Sequence, residues 1–433
     1  MSDMLVIAAY SSLAVTLGLV VARPRVSEKI RIGPGPAAAV GVLIMLAAGV
    51  VQIADVSRAA TILWRPLLAI VSIMVTTAVA QQVGLLDRVA TMLFARTNGS
   101  ATRVFFRIFF LSAITAAALN NDSAVLLLTP AVIGLVRRRY PKNRELVVPF
   151  SFAVFMAAGV APLVLSNPMN MIFAAYAKID FNAYAIRMTP IALVGWAVAA
   201  WALYRVFKKP LTLAPETEGV TDEGLANHEA RSHENRSGQL DLPQRRMIAV
   251  LALVLGTCPF VAYFGGNVWM VAIAGAAFAL LFVARPANVP IVETIRLGIS
   301  WEIVAFLILV SVMGVGMRNA GLVARLTHLY AGGNVAIIGG IAALGSATLN
   351  NHPMSILNML ALEGNPAKSS ALAALIGGDL GPRLLPMGSL AGLLWYDKLR
   401  KENVDVPLFT FMRVGLAITI PTLAISLALL WLF

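Results

Sequence analysis

The chain has 433 residues, of which 59% are hydrophobic and only 13% are charged, and its mean hydropathy is +0.81. Soluble domains average roughly 45–50% apolar and about 25% charged residues, so this composition excludes a water-soluble enzyme and indicates a polytopic membrane protein. The net charge of +13 does not indicate nucleic-acid binding, because the basic residues lie between apolar stretches of about 20 residues. The single cysteine, Cys258, excludes an intrachain disulfide and a cysteine metal cluster.

The first half of the chain, residues 1–207, combines single spans with two unusual elements. Two short apolar arms at about 104–139 are separated by a polar tip, which predicts a re-entrant helical hairpin. The stretch at about 148–177 contains Pro, Gly and Asn and is predicted to be a discontinuous span, since broken backbone at membrane depth is tolerated where protein or water surrounds it. Single spans are expected at 4–22, 34–54, 67–86 and 187–207.

The second half, residues 247–433, repeats this order after a polar segment. Residues 208–246 are rich in charged residues and lack apolar periodicity, so they are predicted to form a partly disordered cytoplasmic linker. A second hairpin is expected at about 334–363 and a second discontinuous span at about 370–395. Single spans are expected at 247–264, 266–284, 302–318 and 410–433.

The distribution of basic residues predicts the orientation in the membrane. Alternating the spans places 26 of the 34 Lys and Arg residues on one side and seven on the other, with Arg383 inside a span. Cytoplasmic loops carry an excess of Lys and Arg, so the richer side is predicted to be cytoplasmic. In a cell (inner) membrane, both termini are then expected outside and the linker inside. The two hairpins are expected to enter from opposite faces.

Two short motifs indicate an internal repeat. The first hairpin tip reads LNND at 119–122, and the second reads LNNH at 349–352. Because the hairpins are expected to enter from opposite faces, the repeats are inverted, and inverted repeats with discontinuous helices are typical of secondary transporters. The predicted fold class is therefore an all-α polytopic membrane protein with about ten spans, two re-entrant helical hairpins and two inverted repeats.

Polar side chains inside the apolar mass are the candidate binding groups. An Asn carboxamide offers donors and an acceptor without charge, so several of them suit a small neutral polyhydroxylated solute. The alternative is that each side chain caps a helix end, although capping alone does not require an Asn pair at both tips. The candidate binding residues are Asn120, Asn121, Asn350, Asn351, Ser389, Asn167 and Ser166.

Two acids and one arginine also lie inside predicted membrane elements. Asp122 lies at the first hairpin tip and Asp379 in the second discontinuous span. Ionisable groups at such depth are costly and mark functional sites, and proton coupling is the role predicted here. Arg383 is either a structural partner of Asp379 on one helix face or a charge that turns to the cytoplasm or to Asp122. His352 is interpreted as a capping residue, with a proton relay as the alternative.

The sequence contains no Walker A pattern, phosphate loop or metal-ligand spacing. We therefore expect no cofactor and no metal site, and we predict that the chain is not an enzyme. The energy for transport must come from an ion gradient or from a partner protein.

Several motifs resemble those of the bacterial arsenite efflux permeases. They are AALNNDSAVLLLTP at 117–130, FMAAGVAPLVLSNPMNMI at 155–172, GMRNAGL at 316–322, LNNHP at 349–353 and GGDLGPRLLPMGSLAGLLW at 377–395. They occur in the order and spacing of that family, and the resemblance covers the whole chain except the linker. It implies membership of the wider ion transporter superfamily, with a scaffold portion and a transport portion that move in an elevator-like manner.

The resemblance implies export of arsenite and antimonite in exchange for protons across the lipid bilayer, and it leaves open association with a soluble arsenite-stimulated ATPase. Arsenous acid is neutral at neutral pH and presents hydroxyl groups, which fits a site lined by amides. One alternative is a sodium/proton antiporter or an anion symporter of the same superfamily, in which Arg383 supplies positive charge. Another is a channel subunit that depends on an ATPase partner.

Overall fold

Every regular element in the part of the chain that the structure describes is helical. This computed structural model describes residues 3–22, 24, 32–95, 100–213, 240–363 and 367–432. The helices of the first half are α1 (Asp3–Ala22), α2 (Pro34–Ala47), α3 (Ile53–Gln82), α4 (Leu85–Ala95), α5 (Ala101–Ala118), α6 (Asn121–Arg139), α7 (Val147–Ala157), α8 (Pro168–Tyr176), α9 (Phe181–Val206) and α10 (Lys208–Leu213).

The second half contains a matching series of helices. They are α11 (Leu242–Tyr263), α12 (Val268–Phe278), α13 (Ile291–Gly298), α14 (Trp301–Asn319), α15 (Leu322–Tyr330), α16 (Val335–Leu349), α17 (Asn351–Ala361), α18 (Lys368–Leu380), α19 (Leu390–Lys401) and α20 (Leu408–Leu432). A π-helical segment, Ala279–Ala284, extends α12. Short 3₁₀ turns occupy Arg144–Leu146, Val164–Ser166, Gly381–Arg383 and Pro386–Gly388.

Six helical segments among the described residues are long and apolar enough to cross a membrane on their own. They are Ile53–Gln82, Ala101–Ala118, Phe181–Val206, Leu242–Tyr263, Leu408–Leu432 and Ile291–Asn319, the last of which comprises α13 and α14. The remaining predicted spans correspond to shorter apolar helices, α1, α2 and α12, and to the two spans that are divided into separate helices.

Both divided spans break where proline and glycine interrupt the helical hydrogen-bond ladder. Helix α7 ends at Ala157, and α8 begins at Pro168 after a short 3₁₀ turn. Helix α18 ends at Leu380, and α19 begins at Leu390 after two such turns. Proline lacks an N–H and fixes its own backbone, so the second helix of each span can only start anew beyond the break.

Helices at equivalent positions in the two halves make equivalent contacts with the other half. Helix α2 of the first half packs on α14 of the second, and α12 of the second half packs on α3 of the first. The last helices of the halves, α9 and α20, pack on each other. Each half also contains one hairpin, α5–α6 or α16–α17, followed by one divided span. The predicted all-α polytopic fold with two hairpins, discontinuous helices and two repeats is confirmed.

Very small residues allow the second hairpin to approach the second divided span closely. A Cβ atom added to Gly377 would lie 2.2 Å from the carbonyl oxygen of Gly339, and one added to Gly381 would lie 2.2 Å from that of Ala343. Glycines at a contact let backbones approach closely in the membrane, where hydrophobic burial does not drive association. This contact fixes α18 against α16, and with it the residues at the end of α18.

The region predicted as a linker is partly helical at both ends. Residues Lys208–Leu213 form α10, which contacts α5 through a hydrogen bond from the Thr102 hydroxyl to the Leu211 carbonyl. Helix α11 begins at Leu242, after a capping box formed by Asp241 and Gln244. Residues 208–213 and 242–246 of the predicted linker are therefore helical. The disorder predicted for its centre concerns residues 214–239, which lie outside the described residues.

Candidate functional site

A small cavity lies where both hairpin tips meet both divided spans. Its volume is about 40 Å³, which is enough for a water molecule or a solute of a few atoms. The residues that line it come from the hairpins, the divided spans and their connections, and none lies on α1–α3 or α11–α14. The polar lining residues are Asn121, Asp122, Asn167, Asn351, His352, Asp379, Arg383 and Ser389.

Four helices begin beside this cavity, and each begins with a short polar side chain that caps its first turn. A capping oxygen accepts a hydrogen bond from a backbone N–H that has no partner within the helix. The N-terminal end of a helix carries partial positive charge, so four such ends favour oxygen acceptors in the cavity. The caps are Asn120 for α6, Asn167 for α8, Asn350 for α17 and Ser389 for α19.

The two residues of each Asn pair have different roles. Asn120 and Asn350 accept hydrogen bonds from the backbone N–H groups of the helices that follow, at 2.8 and 3.3 Å, and neither lines the cavity. Both have positive φ angles, 149° and 75°, with extended ψ angles of 163° and 147°, a backbone region that residues other than glycine rarely adopt. The structure places these two side chains as helix caps outside the cavity lining, and their role in binding stays a prediction.

The second residue of each pair points into the cavity. Asn121 lines the cavity and makes no side-chain hydrogen bond to another described residue. Asn351 also lines it, and its Oδ1 accepts a hydrogen bond of 3.0 Å from the Ser355 hydroxyl. At each tip the first Asn is therefore the cap and the second faces the cavity, a difference that the sequence pattern does not reveal.

The two predicted serines also differ. Ser389 lines the cavity while its oxygen accepts from the backbone N–H of Gly392 at 3.0 Å. Ser166 does not line it, and its hydroxyl donates to the carbonyl of Ala117 at 3.0 Å. Ser166 therefore connects the first divided span to the first hairpin, and its role in binding stays a prediction.

Asp379 joins the two divided spans. Its Oδ1 accepts a hydrogen bond of 2.8 Å from the Asn167 amide, and its Oδ2 accepts from the Asn170 amide at 3.0 Å and from the Ala161 backbone N–H at 3.2 Å. The Tyr184 hydroxyl, in contact with Asn170 at 2.9 Å, donates to the Ala161 carbonyl at 3.1 Å. Three donors directed at one carboxylate stabilise its ionised form.

Arg383 does not pair with Asp379, although the two are four residues apart. Helix α18 ends at Leu380, and Arg383 belongs to a 3₁₀ turn, so the helix face that would have brought them together does not exist. The side chain is 2% exposed, and none of its guanidinium nitrogens has a hydrogen-bond partner among the described residues. A structural ion pair, one of the predicted roles of Arg383, is therefore absent from the described part of the chain.

Asp122 presents a carboxylate to the cavity without a protein partner. It lies in the first turn of α6, one residue after Asn121, and is only partly buried. No hydrogen bond or ion pair connects its carboxylate to another residue in the described ranges. Of the two predicted acids, only Asp122 is therefore free to bind a proton or a solute without breaking protein hydrogen bonds.

His352 contributes its side chain to the cavity wall, which its interpretation as a capping residue does not include. The imidazole lines the cavity, is 3% exposed and packs edge-on against Phe306 of α14. Its Nδ1 lies 3.2 Å from the Asn350 amide oxygen, and its Nε2 has no partner among the described residues. The capping group at this tip is the side chain of Asn350, and His352 supplies the backbone N–H that is capped.

Two residues of the Asp379 network were not predicted as site residues. Asn170 lies in the first divided span, where its polar character was a usable signal. Tyr184 gave no such signal, because a tyrosine in an apolar helix more often packs in the core. No group of three or more His, Cys, Asp or Glu side chains in the described residues is placed to hold a metal ion.

Comparisons with known proteins connect this architecture to transporters. The profile of the family described as ArsB, arsenical pump membrane protein, matches residues 8–433. The chain is 28% identical over 429 residues to an arsenical pump membrane protein of Escherichia coli, with 96% of each chain covered. It is 26% identical to a putative arsenical pump membrane protein of Bacillus subtilis, with 91% of this chain and 94% of the relative covered.

A solved structure shares the fold. The YdaH transporter of Alcanivorax borkumensis, whose crystal structure shows an unusual topology, superposes with a TM-score of 0.56 at 15% identity. The superposition covers 99% of this chain and 97% of the other. At this identity the likeness concerns the arrangement of helices alone.

Proposed function

This chain belongs to the arsenical pump membrane protein family, and we propose that it is a secondary transporter that exports arsenite and antimonite in exchange for protons. The observation that carries the proposal is the cavity between the hairpin tips, where uncharged amides and one unpartnered carboxylate converge. Inverted repeats with broken helices around a central site are the usual architecture of secondary transporters. The moving portion would carry the site across the membrane in an elevator-like manner.

The size and chemistry of the cavity support arsenous acid and its antimony analogue as cargo. A cavity of about 40 Å³ suits a solute with one central atom and its hydroxyl groups. The amides of Asn121 and Asn351 can both donate to and accept from such hydroxyls. The lone cysteine, Cys258, is buried and does not line the cavity. Release of a thiol-binding cargo is therefore not slowed by a thiol at the site.

Proton exchange is assigned to Asp122. Its carboxylate would accept hydrogen bonds from cargo hydroxyls when ionised and would release the cargo when a proton binds, because proton and cargo compete for the same oxygen atoms. Asp379 is less suited to this role, since its oxygens already accept three hydrogen bonds. In the proposed exchange, Asp122 is therefore the proton carrier and Asp379 is a fixed charge.

Transport by the purified chain in proteoliposomes tests this proposal. With a proton gradient as the sole energy source and an acidic lumen, arsenite should accumulate inside the vesicles several-fold above the level without a gradient. Adding arsenite should in turn dissipate the imposed pH gradient. Both signals should vanish when a protonophore collapses the gradient and in liposomes that lack the protein.

Transport that uses another energy source, or that moves another solute, would contradict the proposal. Accumulation that follows a sodium gradient and ignores the proton gradient would favour a sodium-coupled transporter. Accumulation that requires an added ATPase and ATP would favour a channel subunit. An absence of arsenite movement, with transport of another solute, would overturn the cargo assignment.

An elevator-like movement is supported by the division of the molecule. All residues that line the cavity lie on the hairpins and divided spans, whereas α2, α3, α12 and α14 pack on one another without contributing to it. The two groups meet where Gly314 of α14 contacts Ile356 of α17. A Cβ atom added to Gly314 would lie 3.5 Å from the Ile356 Cβ, within the range of about 3.5–4.5 Å that a disulfide requires.

A disulfide across this contact should stop transport. In a Cys258→Ser background, oxidised Gly314→Cys/Ile356→Cys protein should lose arsenite uptake, and reduction should restore it. The matched control is Gly275→Cys/Val254→Cys, which joins α12 to α11 within the scaffold portion across a Cβ separation of 3.6 Å. That cross-link should leave uptake unchanged. Full transport by the oxidised first pair would argue against relative movement of the two portions.

We further propose that both termini lie outside and that the 214–239 segment lies in the cytoplasm, as the excess of basic residues on one side indicates. Alkaline phosphatase fused after residue 432 should then be active in the periplasm, and a green fluorescent protein fused there should be dark. A fluorescent fusion with inactive phosphatase would reverse the orientation.

A further inference from the structure

A second, larger cavity lies at the end of the molecule where α16 and α18 begin and α20 ends. Its volume is about 1050 Å³. It is lined by residues of α9, α16, α18 and α20 and of the loop before α16, and α20 packs on the other three helices. No residue lines both this cavity and the one between the hairpin tips, so the second cavity is not part of the cargo site.

One end of this cavity is polar and carries two cations without a counter-charge. Arg187 of α9 and Lys368, the first residue of α18, line it, and no Asp or Glu among the described residues does. Neither side chain forms an ion pair or a hydrogen bond with another described residue. Arg187 is half-buried, and a cation that is partly withdrawn from water favours an anion beside it.

The orientation of the chain in the membrane does not account for these two cations. They are among only seven Lys and Arg residues on the side predicted to be outside, where basic residues are not in excess. The two helices that begin here add partial positive charge at their N-terminal ends. Asn334 caps α16, whereas no side chain caps α18. The polar end of the cavity therefore attracts an anion.

The other part of the cavity is an apolar groove along α20. Ala424, Leu427, Ala428 and Trp431 lie on one face of this helix, at the spacing i, i+3, i+4 and i+7. At about 1.5 Å per residue, this face is roughly 10 Å long. Helix α20 is long and apolar enough to cross a membrane, and Ala424, Ala428 and Trp431 are exposed. In a bilayer the groove therefore contacts acyl chains.

We propose that this cavity binds an anionic phospholipid, with its phosphate between Arg187 and Lys368 and an acyl chain along Ala424 and Ala428. Basic pockets between transmembrane helices bind anionic headgroups. A free inorganic anion would use the polar end and leave the groove empty, and a zwitterionic lipid would bring no net counter-charge. In the proposed orientation the lipid belongs to the outer leaflet. The site does not depend on which cargo the first cavity takes.

Native mass spectrometry of the purified, delipidated full-length protein tests the proposal, with dioleoylphosphatidylglycerol and dioleoylphosphatidylcholine added in equal amounts. The basic cytoplasmic face also attracts anionic lipid, so the measured quantity is the difference between variants. Arg187→Gln/Lys368→Gln should retain one phosphatidylglycerol molecule per chain fewer than the unaltered chain, and the same amount of phosphatidylcholine. Each single substitution should weaken the binding of that molecule by about fivefold. Arg58→Gln, which removes a cation of α3 outside the cavity, should change nothing.

Two substitutions of Gly332 form a matched pair. Gly332 lines the polar end, and a Cβ atom added to it would make no contact within 4 Å. Gly332→Glu supplies a carboxylate to the two cations, so one phosphatidylglycerol molecule should be lost. Gly332→Gln adds a side chain of the same size without the charge, so that molecule should remain. Ala428→Phe fills the groove instead and should also release the lipid, because the acyl chain loses its place.

Four results would overturn the proposal. The first is an unaltered chain that retains phosphatidylcholine as readily as phosphatidylglycerol. The second is a double variant that retains as much phosphatidylglycerol as the unaltered chain. The third is equal retention by Gly332→Glu and Gly332→Gln, a comparison that remains available if the double variant does not fold. The fourth is loss of the lipid molecule when sodium phosphate is added at the same concentration, which would indicate a site for a free anion.

Discussion

The Asp122→Asn variant should lose proton-driven arsenite uptake by about tenfold or more, the usual range for the coupling between two ligands of one protein. The carboxamide has nearly the shape of the carboxyl group but cannot release a proton, so the exchange cycle has no carrier. The Asp122 carboxylate makes no hydrogen bond to another described residue, so the substitution should leave the unfolding temperature unchanged. Transport in proteoliposomes and thermal unfolding measure the two effects.

The pH dependence of the same variant gives a sharper test. In the unaltered protein, acidifying the side from which arsenite loads should raise KM, because protons and cargo compete for one carboxylate. In Asp122→Asn the KM should no longer respond to this change. Asp397→Asn is the matched control, since Asp397 is a surface acid of α19 paired with Lys401 outside the cavity. Unaltered uptake and an unaltered pH response in Asp122→Asn would exclude Asp122 as the carrier.

The hairpins and divided spans could be predicted because their causes are local. Short apolar arms, a polar tip and Pro or Gly within an apolar stretch act within a few residues of where they occur. The breaks after Ala157 and Leu380 fall in the stretches that this reasoning marked. The linker ends were less predictable, because α10 is stabilised by a contact with α5 that no local pattern reveals.

The partners of the buried charges could not be predicted, because they depend on contacts between distant segments. The i, i+4 spacing of Asp379 and Arg383 predicts an ion pair only if the helix continues, and it ends between them. Asp379 instead accepts from Asn167 and Asn170, more than 200 residues earlier in the sequence.

The Asp379→Asn variant should be destabilised, in contrast to Asp122→Asn. One oxygen of Asp379 becomes an NH₂ group that faces the donors of the first divided span, so at least one buried donor loses its acceptor. Each such loss costs about 1–3 kcal/mol. The unfolding temperature should therefore fall by several degrees, and transport should fall because the two divided spans are no longer held together.

A double variant that exchanges the acceptor at 379 and the donor at 170 distinguishes a positioning role of Asp379 from a role as the proton carrier. In Asp379→Asn/Asn170→Asp the new amide can donate to the new carboxylate, and the Tyr184 hydroxyl, 2.9 Å from the Asn170 amide nitrogen, can turn to donate to it in place of the Ala161 carbonyl. The exchange should recover at least part of the lost unfolding temperature and of the lost uptake. A proton carrier at position 379 would give the opposite pattern. Asp379→Asn would then keep its unfolding temperature while uptake lost its response to the proton gradient, and the exchange would bring no recovery.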